Sequence, residues 1–111
     1  LAVQIESKLG LQNANEIMSV EGIDGCWIGP NDLAKSMGLD LQSSEGLKKH
    51  TDAIHEIVEI CKQNHKIPGI STGSSTVVKP WIEQGCLFVT AGYDDGWVIE
   101  GAKRTLTELG R

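Results

Sequence analysis

Basic residues and long apolar runs are both scarce in this chain of 111 residues. Its 10 Lys and Arg are outnumbered by 15 Asp and Glu, which leaves a net charge of −5. This balance argues against a nucleic-acid partner, because binding to a phosphate backbone relies on clustered basic residues. No run of about 18 apolar residues is present, so no membrane partner is expected. The composition therefore predicts a soluble, cytoplasmic chain.

The common cofactor and metal motifs are missing as well. There is no GxGxxG and no Gly-Lys-Ser/Thr, so nothing indicates a dinucleotide or a nucleoside triphosphate. Cys26, Cys61 and Cys86 have no CxxC spacing, and we expect them to be buried free thiols in a reducing compartment. His50 and His55 are five residues apart, not the four that place two imidazoles on one ion, and they are predicted to be surface or rim histidines.

What the chain does contain is an alternation of short apolar runs and helical patterns, which is typical of a parallel α/β sheet. The length suits a single partial domain that spans residues 1–111. The apolar runs predict four strands: Leu1–Ile5, Gly25–Ile28, Ile67–Ile70 and Cys86–Thr90.

Between these strands the apolar residues recur at helical spacing. A first helix is predicted on the stripe Leu11, Ala14, Ile17 and Met18, with Gly22 just beyond its end. The longest helix is expected to start at Ser43 or Ser44 and to bury Leu47, Ile54, Ile57, Val58 and Cys61.

Three shorter helical patterns complete the chain. Asp32–Met37 is predicted as a short helix capped by Asn31. Pro80 indicates that the helix within Val77–Gln84 is short or kinked. The last helix is expected to be capped by Asp94 or Asp95 and to bury the stripe Val98, Ala102, Leu106 and Leu109.

Polar or acidic residues follow every predicted strand at its carboxyl end. Glu6 and Asp32 are separated by about one βαβ unit, so they emerge on the same rim of a parallel sheet. Two carboxylates on one rim can hold a divalent cation. On spacing alone, helix caps or solvated surface acids remain the alternative.

Four segments in order give the sequence a family resemblance: Val3-Gln4-Ile5-Glu6, Gly22-Ile23-Asp24-Gly25, Ile28-Gly29-Pro30-Asn31-Asp32-Leu33 and Ser36-Met37-Gly38. They resemble the C-terminal half of the HpcH/HpaI aldolases, which are metal-dependent pyruvate aldolases typified by an enzyme of aromatic catabolism. The resemblance implies a (β/α)8 TIM barrel, of which this chain is the C-terminal half with strands five to eight. Such barrels usually need roughly 250 residues. A start at Leu1 without Met also suggests a fragment.

The resemblance implies a role for five residues. Glu6 and Asp32 match the two metal-ligating carboxylates of the family, and Gln4, Gly29 and Asn31 match substrate-binding positions. For Asn31, the family uses the backbone amide to hold the carboxylate of pyruvate. An all-oxygen shell of this kind suits Mg²⁺ or Mn²⁺, with Co²⁺ as a further candidate.

The resemblance also implies the reaction, which is the reversible cleavage of a 4-hydroxy-2-oxo acid to pyruvate and an aldehyde by a carbon–carbon lyase. It further implies that the complete enzyme forms homo-oligomers. The catalytic base and an arginine belong to the N-terminal half of the family's barrel, so this chain contains no catalytic residue of its own and is expected to be inactive alone. Thr72 and the loop Tyr93-Asp94-Asp95 depart from the family pattern where the aldehyde pocket is shaped.

Two alternatives stay open at this point. The first is an acyl-CoA lyase of the citrate-lyase type, which shares the barrel and the two-carboxylate site but needs basic residues for the coenzyme A phosphates. The second is a non-catalytic α/β module that packs on a partner through the open edges of its sheet. Metal-dependent binding of pyruvate or oxalate separates an aldolase from a packing module.

Overall fold

The computed structural model describes residues 1–111 as one four-stranded sheet with six helices. The strands are β1 (Ala2–Ile5), β2 (Gly25–Ile28), β3 (Ile67–Thr72) and β4 (Phe88–Ala91). The helices are α1 (Lys8–Gln12), α2 (Ala14–Ser19), α3 (Pro30–Ser36), α4 (Ser44–Gln63), α5 (Ser75–Glu83) and α6 (Asp94–Glu108). None of these helices is both long enough and apolar enough to span a membrane.

The strands lie in chain order, β1-β2-β3-β4, and every neighbouring pair is parallel. Ala2 pairs with Gly25, Gly25 with Ile67, and Gly69 with Phe88. The predicted parallel α/β organisation is therefore confirmed. Because all four strands run the same way, their carboxyl ends meet at one edge, where the candidate residues lie.

The core lies between one face of the sheet and the helices. It takes Ile5, Ile28 and Ile70 from the strands, all fully buried, and the buried face of α4. The three cysteines are buried and free, as the sequence predicts. Cys61 Sγ lies 3.7 Å from Met18 Sδ, so two polarizable sulfur atoms pack against each other in this core.

The other face of the sheet has no cover. Trp27 and Phe88 project from it with ring centroids 4.7 Å apart, and Phe88 is 57% exposed. Beside them, an apolar cleft of about 340 Å³ extends to the amino ends of the strands, between Leu1, Ile67 and Leu87. A parallel sheet is normally covered on both faces, so this face is suited to the interior of a larger assembly.

Several boundaries differ from the sequence prediction. The first helical stripe is divided at Asn13 into α1 and α2, although Ala14 and Met18 are buried as expected. The turn after α2 contains Gly22 with φ of +86°, which agrees with the predicted helix stop. Strand β3 continues beyond Ile70 to Thr72, and β4 begins at Phe88, two residues later than predicted.

Two predicted helix caps are wrong. Helix α3 is capped by Gly29, and Asn31 lies inside the helix. Pro30 occupies the first helical position, which suits proline because an amide there has no partner within the helix. Helix α6 begins after Tyr93, so Asp94 and Asp95 lie in its first turn. The Asp94 carboxylate accepts a hydrogen bond of 2.9 Å from the Asp95 amide, and the Asp95 carboxylate accepts one of 2.7 Å from the Gly96 amide. These bonds satisfy two of the first-turn amides that have no partner within the helix.

The predicted burial of two stripes is also wrong in part. Leu47 is 49% exposed. Its neighbour Gly46 is buried instead, against the backbone of Asp40, which leaves no space for a Cβ there. The rest of the α4 stripe is buried as predicted. Helix α6 has no buried residue at all, so its apolar stripe faces away from this chain. Pro80 lies within α5, which is nine residues long and therefore short, as expected.

Candidate metal and substrate site

Gln4 and Glu6 form the first part of the site, at the carboxyl end of β1. Strand alternation places Ile5 in the core and directs Gln4 to the opposite face of the sheet. Gln4 Nε2 donates a hydrogen bond of 2.6 Å to Glu6 Oε2. The amide therefore fixes one oxygen of the carboxylate and leaves Oε1 available to another partner.

Gly29 leaves room at this edge for the side chains of Gln4 and Glu6. Its amide donates to the Ile5 carbonyl oxygen at 3.2 Å, which extends the pairing of the two strands. A Cβ at residue 29 would lie 2.8 Å from Glu6 Oε2 and 3.2 Å from Gln4 Nε2. Glycine is thus required by the space that the Gln4–Glu6 pair occupies.

Helix α3 starts directly after Gly29 and brings Asn31 and Asp32 to the same edge. Both lie in the first turn, where backbone amides have no partner within the helix. The Pro30 carbonyl accepts a hydrogen bond of 2.8 Å from His50 Nε2 on α4, which holds the start of α3 in place. His50 is half-buried at the rim, as predicted, but this positioning contact has no signal in the sequence.

These elements enclose a cleft of about 130 Å³. Its lining is Gln4, Trp27, Gly29, Pro30, Asn31, Asp32, Ser71 and Tyr93. Four of the five predicted site residues therefore share one cleft. Glu6 does not line the cleft. It is connected to the cleft by the hydrogen bond that Gln4 donates to its carboxylate.

Ser71 and Tyr93 form the far wall of this cleft. The resemblance singled out the loop of Tyr93, whereas no role was predicted for Ser71. Ser71 Oγ lies 3.2 Å from Tyr93 Oη and 3.3 Å from Thr90 Oγ1. Thr90 Oγ1 in turn accepts from the Thr72 amide at 3.1 Å, and Thr72 Oγ1 donates to the Thr90 carbonyl at 2.7 Å. The available signal was the position of Ser71 at the end of a strand, but only the fold shows that Tyr93 reaches it.

The donor set fits a hard divalent cation. Glu6 and Asp32 offer carboxylate oxygens, and Gln4 and Asn31 add amide groups beside them. The chain has no grouping of three or more His, Cys, Asp or Glu side chains that would form a complete metal cage. Glu6 and Asp32 would hold such an ion, and its remaining ligands would be waters, as is usual for Mg²⁺.

The serine-rich segment Ser71-Thr72-Gly73-Ser74-Ser75, which leads into α5, is poorly suited to bind an anion. Ser74 caps α5, with its Oγ accepting from the Val77 amide at 3.4 Å. Glu100 lines the cleft beside this loop, and its negative charge disfavours a phosphate. The serine-rich segment is therefore explained by helix capping.

Comparisons with known proteins support the sequence motifs. A family model described as HpcH/HpaI aldolase/citrate lyase matches residues 1–101. A curated 4-hydroxy-2-oxo-heptane-1,7-dioate aldolase from Klebsiella pneumoniae is 36% identical over 104 residues, which cover 91% of this chain and 37% of the relative. A hydroxypyruvate/pyruvate aldolase from Pseudomonas aeruginosa is 35% identical over 109 residues, which cover 98% of this chain and 38% of the relative.

Solved structures give the same picture of the fold. A HpcH/HpaI aldolase/citrate lyase family protein from Burkholderia cenocepacia J2315 superposes with a TM-score of 0.87 at 26% identity, over 99% of this chain and 42% of that one. A HpcH/HpaI aldolase from Desulfitobacterium hafniense DCB-2 gives 0.82 at 16% identity, over 97% and 41%. This chain thus spans about two-fifths of the proteins that it matches.

Proposed function

The chain belongs to the HpcH/HpaI aldolase/citrate lyase family and forms the C-terminal half of a (β/α)8 barrel; from this premise we propose that it supplies the metal- and substrate-binding half of a class II pyruvate aldolase. The reaction is the reversible cleavage of a 4-hydroxy-2-oxo acid, such as those of aromatic catabolism, to pyruvate and an aldehyde. The observation that carries the proposal is the shared cleft of Gln4, Gly29, Asn31 and Asp32, with Glu6 bonded to Gln4.

In this proposal Glu6 and Asp32 hold Mg²⁺ or Mn²⁺, with Co²⁺ as a further candidate. Gln4 orients Glu6 through its 2.6 Å hydrogen bond and so fixes the direction of the free carboxylate oxygen. The Asn31 amide lies in the first turn of α3, where it can donate to the substrate carboxylate. Trp27 forms an apolar wall that limits water in the cleft.

When bound, the divalent ion polarises the keto group and stabilises the negative charge that develops on its oxygen. In cleavage, a base takes the proton of the C4 hydroxyl, the C3–C4 bond breaks and the aldehyde leaves. The electrons of that bond form the enolate of pyruvate, which takes up a proton at C3 to give pyruvate. The resemblance places this base and the arginine in the preceding half of the barrel. We therefore expect the chain alone to bind the metal and substrate without turnover.

The complete enzyme is proposed to be a cytoplasmic homo-oligomer. Helix α6 supports this, because none of its residues is buried and Trp97, Val98, Leu106 and Leu109 are each at least half exposed. Apolar surface of this extent on one helix is typical of a protein–protein contact.

An acyl-CoA lyase of the citrate-lyase type has less support. No Lys or Arg lines any of the three clefts at the carboxyl edge of the sheet. A coenzyme A phosphate would have no basic partner there. The non-catalytic packing module accounts for the uncovered sheet face but gives no reason for the Gln4–Glu6–Gly29 arrangement.

The test uses the assembled barrel, meaning this chain joined to the four βα units that precede it in the family fold. Pyruvate release from a 4-hydroxy-2-oxo acid is measured before and after removal of divalent ions by a chelator, and again after Mg²⁺ or Mn²⁺ is restored. The proposal predicts activity that is lost and then recovered, and no recovery in Glu6→Gln or Asp32→Asn. Chelator-resistant cleavage, or full activity in either variant, contradicts it.

A further inference from the structure

We propose that Ser71 and Tyr93 form a hydroxyl-binding subsite that makes the enzyme prefer aldehydes carrying a hydroxyl group next to the carbonyl. The inference rests on the proposed aldolase function and names its acceptor class. Neither residue belongs to the metal or carboxylate machinery assigned above, and the two side chains supply the far wall of the same 130 Å³ cleft.

Strand order determines which part of a substrate meets this wall. Glu6 follows β1 and Asp32 follows β2, whereas Ser71 lies on β3 and Tyr93 follows β4. One cleft contains both Asp32 and this wall, so with pyruvate near β1 and β2 the remaining space for the aldehyde lies beside β3 and β4. The aldehyde substituent is the part of the substrate that approaches the two hydroxyl groups.

The hydroxyl groups of this wall can still accept hydrogen bonds. Thr90 Oγ1 accepts from the Thr72 amide at 3.1 Å and can donate its only proton to the Thr72 carbonyl, at 3.3 Å. Ser71 can then donate to Thr90 Oγ1 and accept from Tyr93 Oη. In this arrangement Ser71 and Tyr93 retain lone pairs, so the wall accepts a hydrogen bond from a ligand hydroxyl.

The two hydroxyl contacts of Ser71 are long for O–H···O bonds, at 3.2 and 3.3 Å against a usual value of about 2.7–2.8 Å. Both residues are also accessible: Ser71 is half-buried and Tyr93 is 50% exposed. The strand pairing beside them is satisfied by Thr72 and Thr90, so the fold does not depend on the Ser71–Tyr93 contact. A ligand hydroxyl can join these groups without breaking a strong bond.

The experiment compares two aldehydes of nearly equal size, glycolaldehyde and propanal, which differ by a hydroxyl in place of a methyl group. Aldol addition to pyruvate is measured in the assembled barrel with saturating Mg²⁺, and kcat/KM is obtained for each aldehyde. The variants are Ser71→Ala, Tyr93→Phe and their combination. Thr107→Ala is the matched control, since its hydroxyl bonds only to the Lys103 carbonyl on the exposed surface of α6.

The wild type is expected to prefer glycolaldehyde. Ser71→Ala and Tyr93→Phe should each lower the glycolaldehyde-to-propanal ratio about fivefold, as expected for one hydrogen bond, with little change in the propanal rate. Thr107→Ala should keep the wild-type ratio. If both aldehydes react but the ratio is unchanged in all three variants, the subsite is wrong and the aldolase proposal stands. If wild type adds neither aldehyde to pyruvate, the aldolase proposal fails and the subsite fails with it.

Discussion

At the scale of single residues, Gly29 is the position where the site tolerates least change. A Cβ there would lie 2.8 Å from Glu6 Oε2, so Gly29→Ala must displace the carboxylate or separate the two strands. Overpacking of this kind costs about 1–3 kcal/mol. We expect the variant to bind Mn²⁺ about tenfold more weakly by calorimetry.

Gly101→Ala is the matched control, because nothing lies within 4 Å of a Cβ added in that part of α6. It should leave Mn²⁺ affinity unchanged. Equal affinities for Gly29→Ala and wild type would show that Glu6 does not hold the ion in the orientation described here.

The buried thiols make stability sensitive to alkaline pH. Burial raises the pKa of the Cys86 thiol to about 11, and a hydrogen bond with Cys61 together with burial raises the pKa of Cys26. An unfolded thiol ionises near pH 8.5, so above that pH unfolding releases protons and stability falls until the folded pKa is passed. For Cys86 we expect a loss of about 2 kcal/mol between pH 8 and pH 10.

Urea unfolding at the two pH values measures this loss. Cys86→Ala should show a smaller decrease than wild type, with the remainder due to Cys26. A decrease of the same size in both proteins would mean that Cys86 titrates normally in the folded state.

The sequence is most informative at residues whose neighbours along the chain define their surroundings. Glu6 and Asp32 were predicted as site residues because each follows a predicted strand at a fixed spacing, and Gly29 because it belongs to the same motif. Ser71 and Tyr93 are 22 residues apart, and they meet only because β3 and β4 pair. Contacts of this kind depend on register, which a single sequence does not specify.

At the scale of elements, α4 provides the main cover of the sheet. Ile57 is completely buried on its inner face, whereas Leu47 is 49% exposed near its start, although both belong to the same apolar stripe. Removal of buried methyl groups from Ile57 leaves a cavity, so we expect Ile57→Ala to lower the free energy of unfolding by about 2–4 kcal/mol.

Leu47→Ala is the internal control for that prediction and should change stability by about 0.5 kcal/mol or less. Urea denaturation of the two variants measures both values. A cost for Leu47→Ala as large as that for Ile57→Ala would mean that Leu47 is buried in solution.

Element types were predictable because the apolar periodicity is strong, but their ends were not. Gly29 caps α3 and Tyr93 caps α6, and neither residue makes a side-chain hydrogen bond to its helix. Side-chain capping preferences therefore gave no indication of these starts. The burial of Leu47 was mispredicted for a different reason, since the loop that packs on Gly46 has no periodic signal.

At the scale of the whole molecule, one face of the sheet and both of its edge strands lack partners. Trp27 and Phe88 lie on that face, beside the apolar cleft of about 340 Å³. An uncovered parallel sheet with open edges associates readily. We expect the isolated chain to self-associate, with a molar mass by light scattering at least twice its 12.0 kDa at concentrations of about 100 μM.

Phe88→Lys places a charge on the uncovered face and should reduce this association. Leu9→Lys, at an exposed position of α1, is the control and should not. A wild-type chain that stays monomeric over the whole concentration range would show that the face needs no partner.

The central claim is that Glu6 and Asp32 hold a divalent ion that in turn holds pyruvate. Oxalate resembles the enolate of pyruvate, so the most direct measurement is calorimetric titration of oxalate into this chain with and without Mn²⁺. The account predicts binding that requires Mn²⁺, at least about tenfold weaker in Glu6→Gln and Asp32→Asn and unchanged in Glu16→Gln, an acid in the first turn of α2. Oxalate binding that is independent of Mn²⁺, or equal in all four proteins, would contradict it.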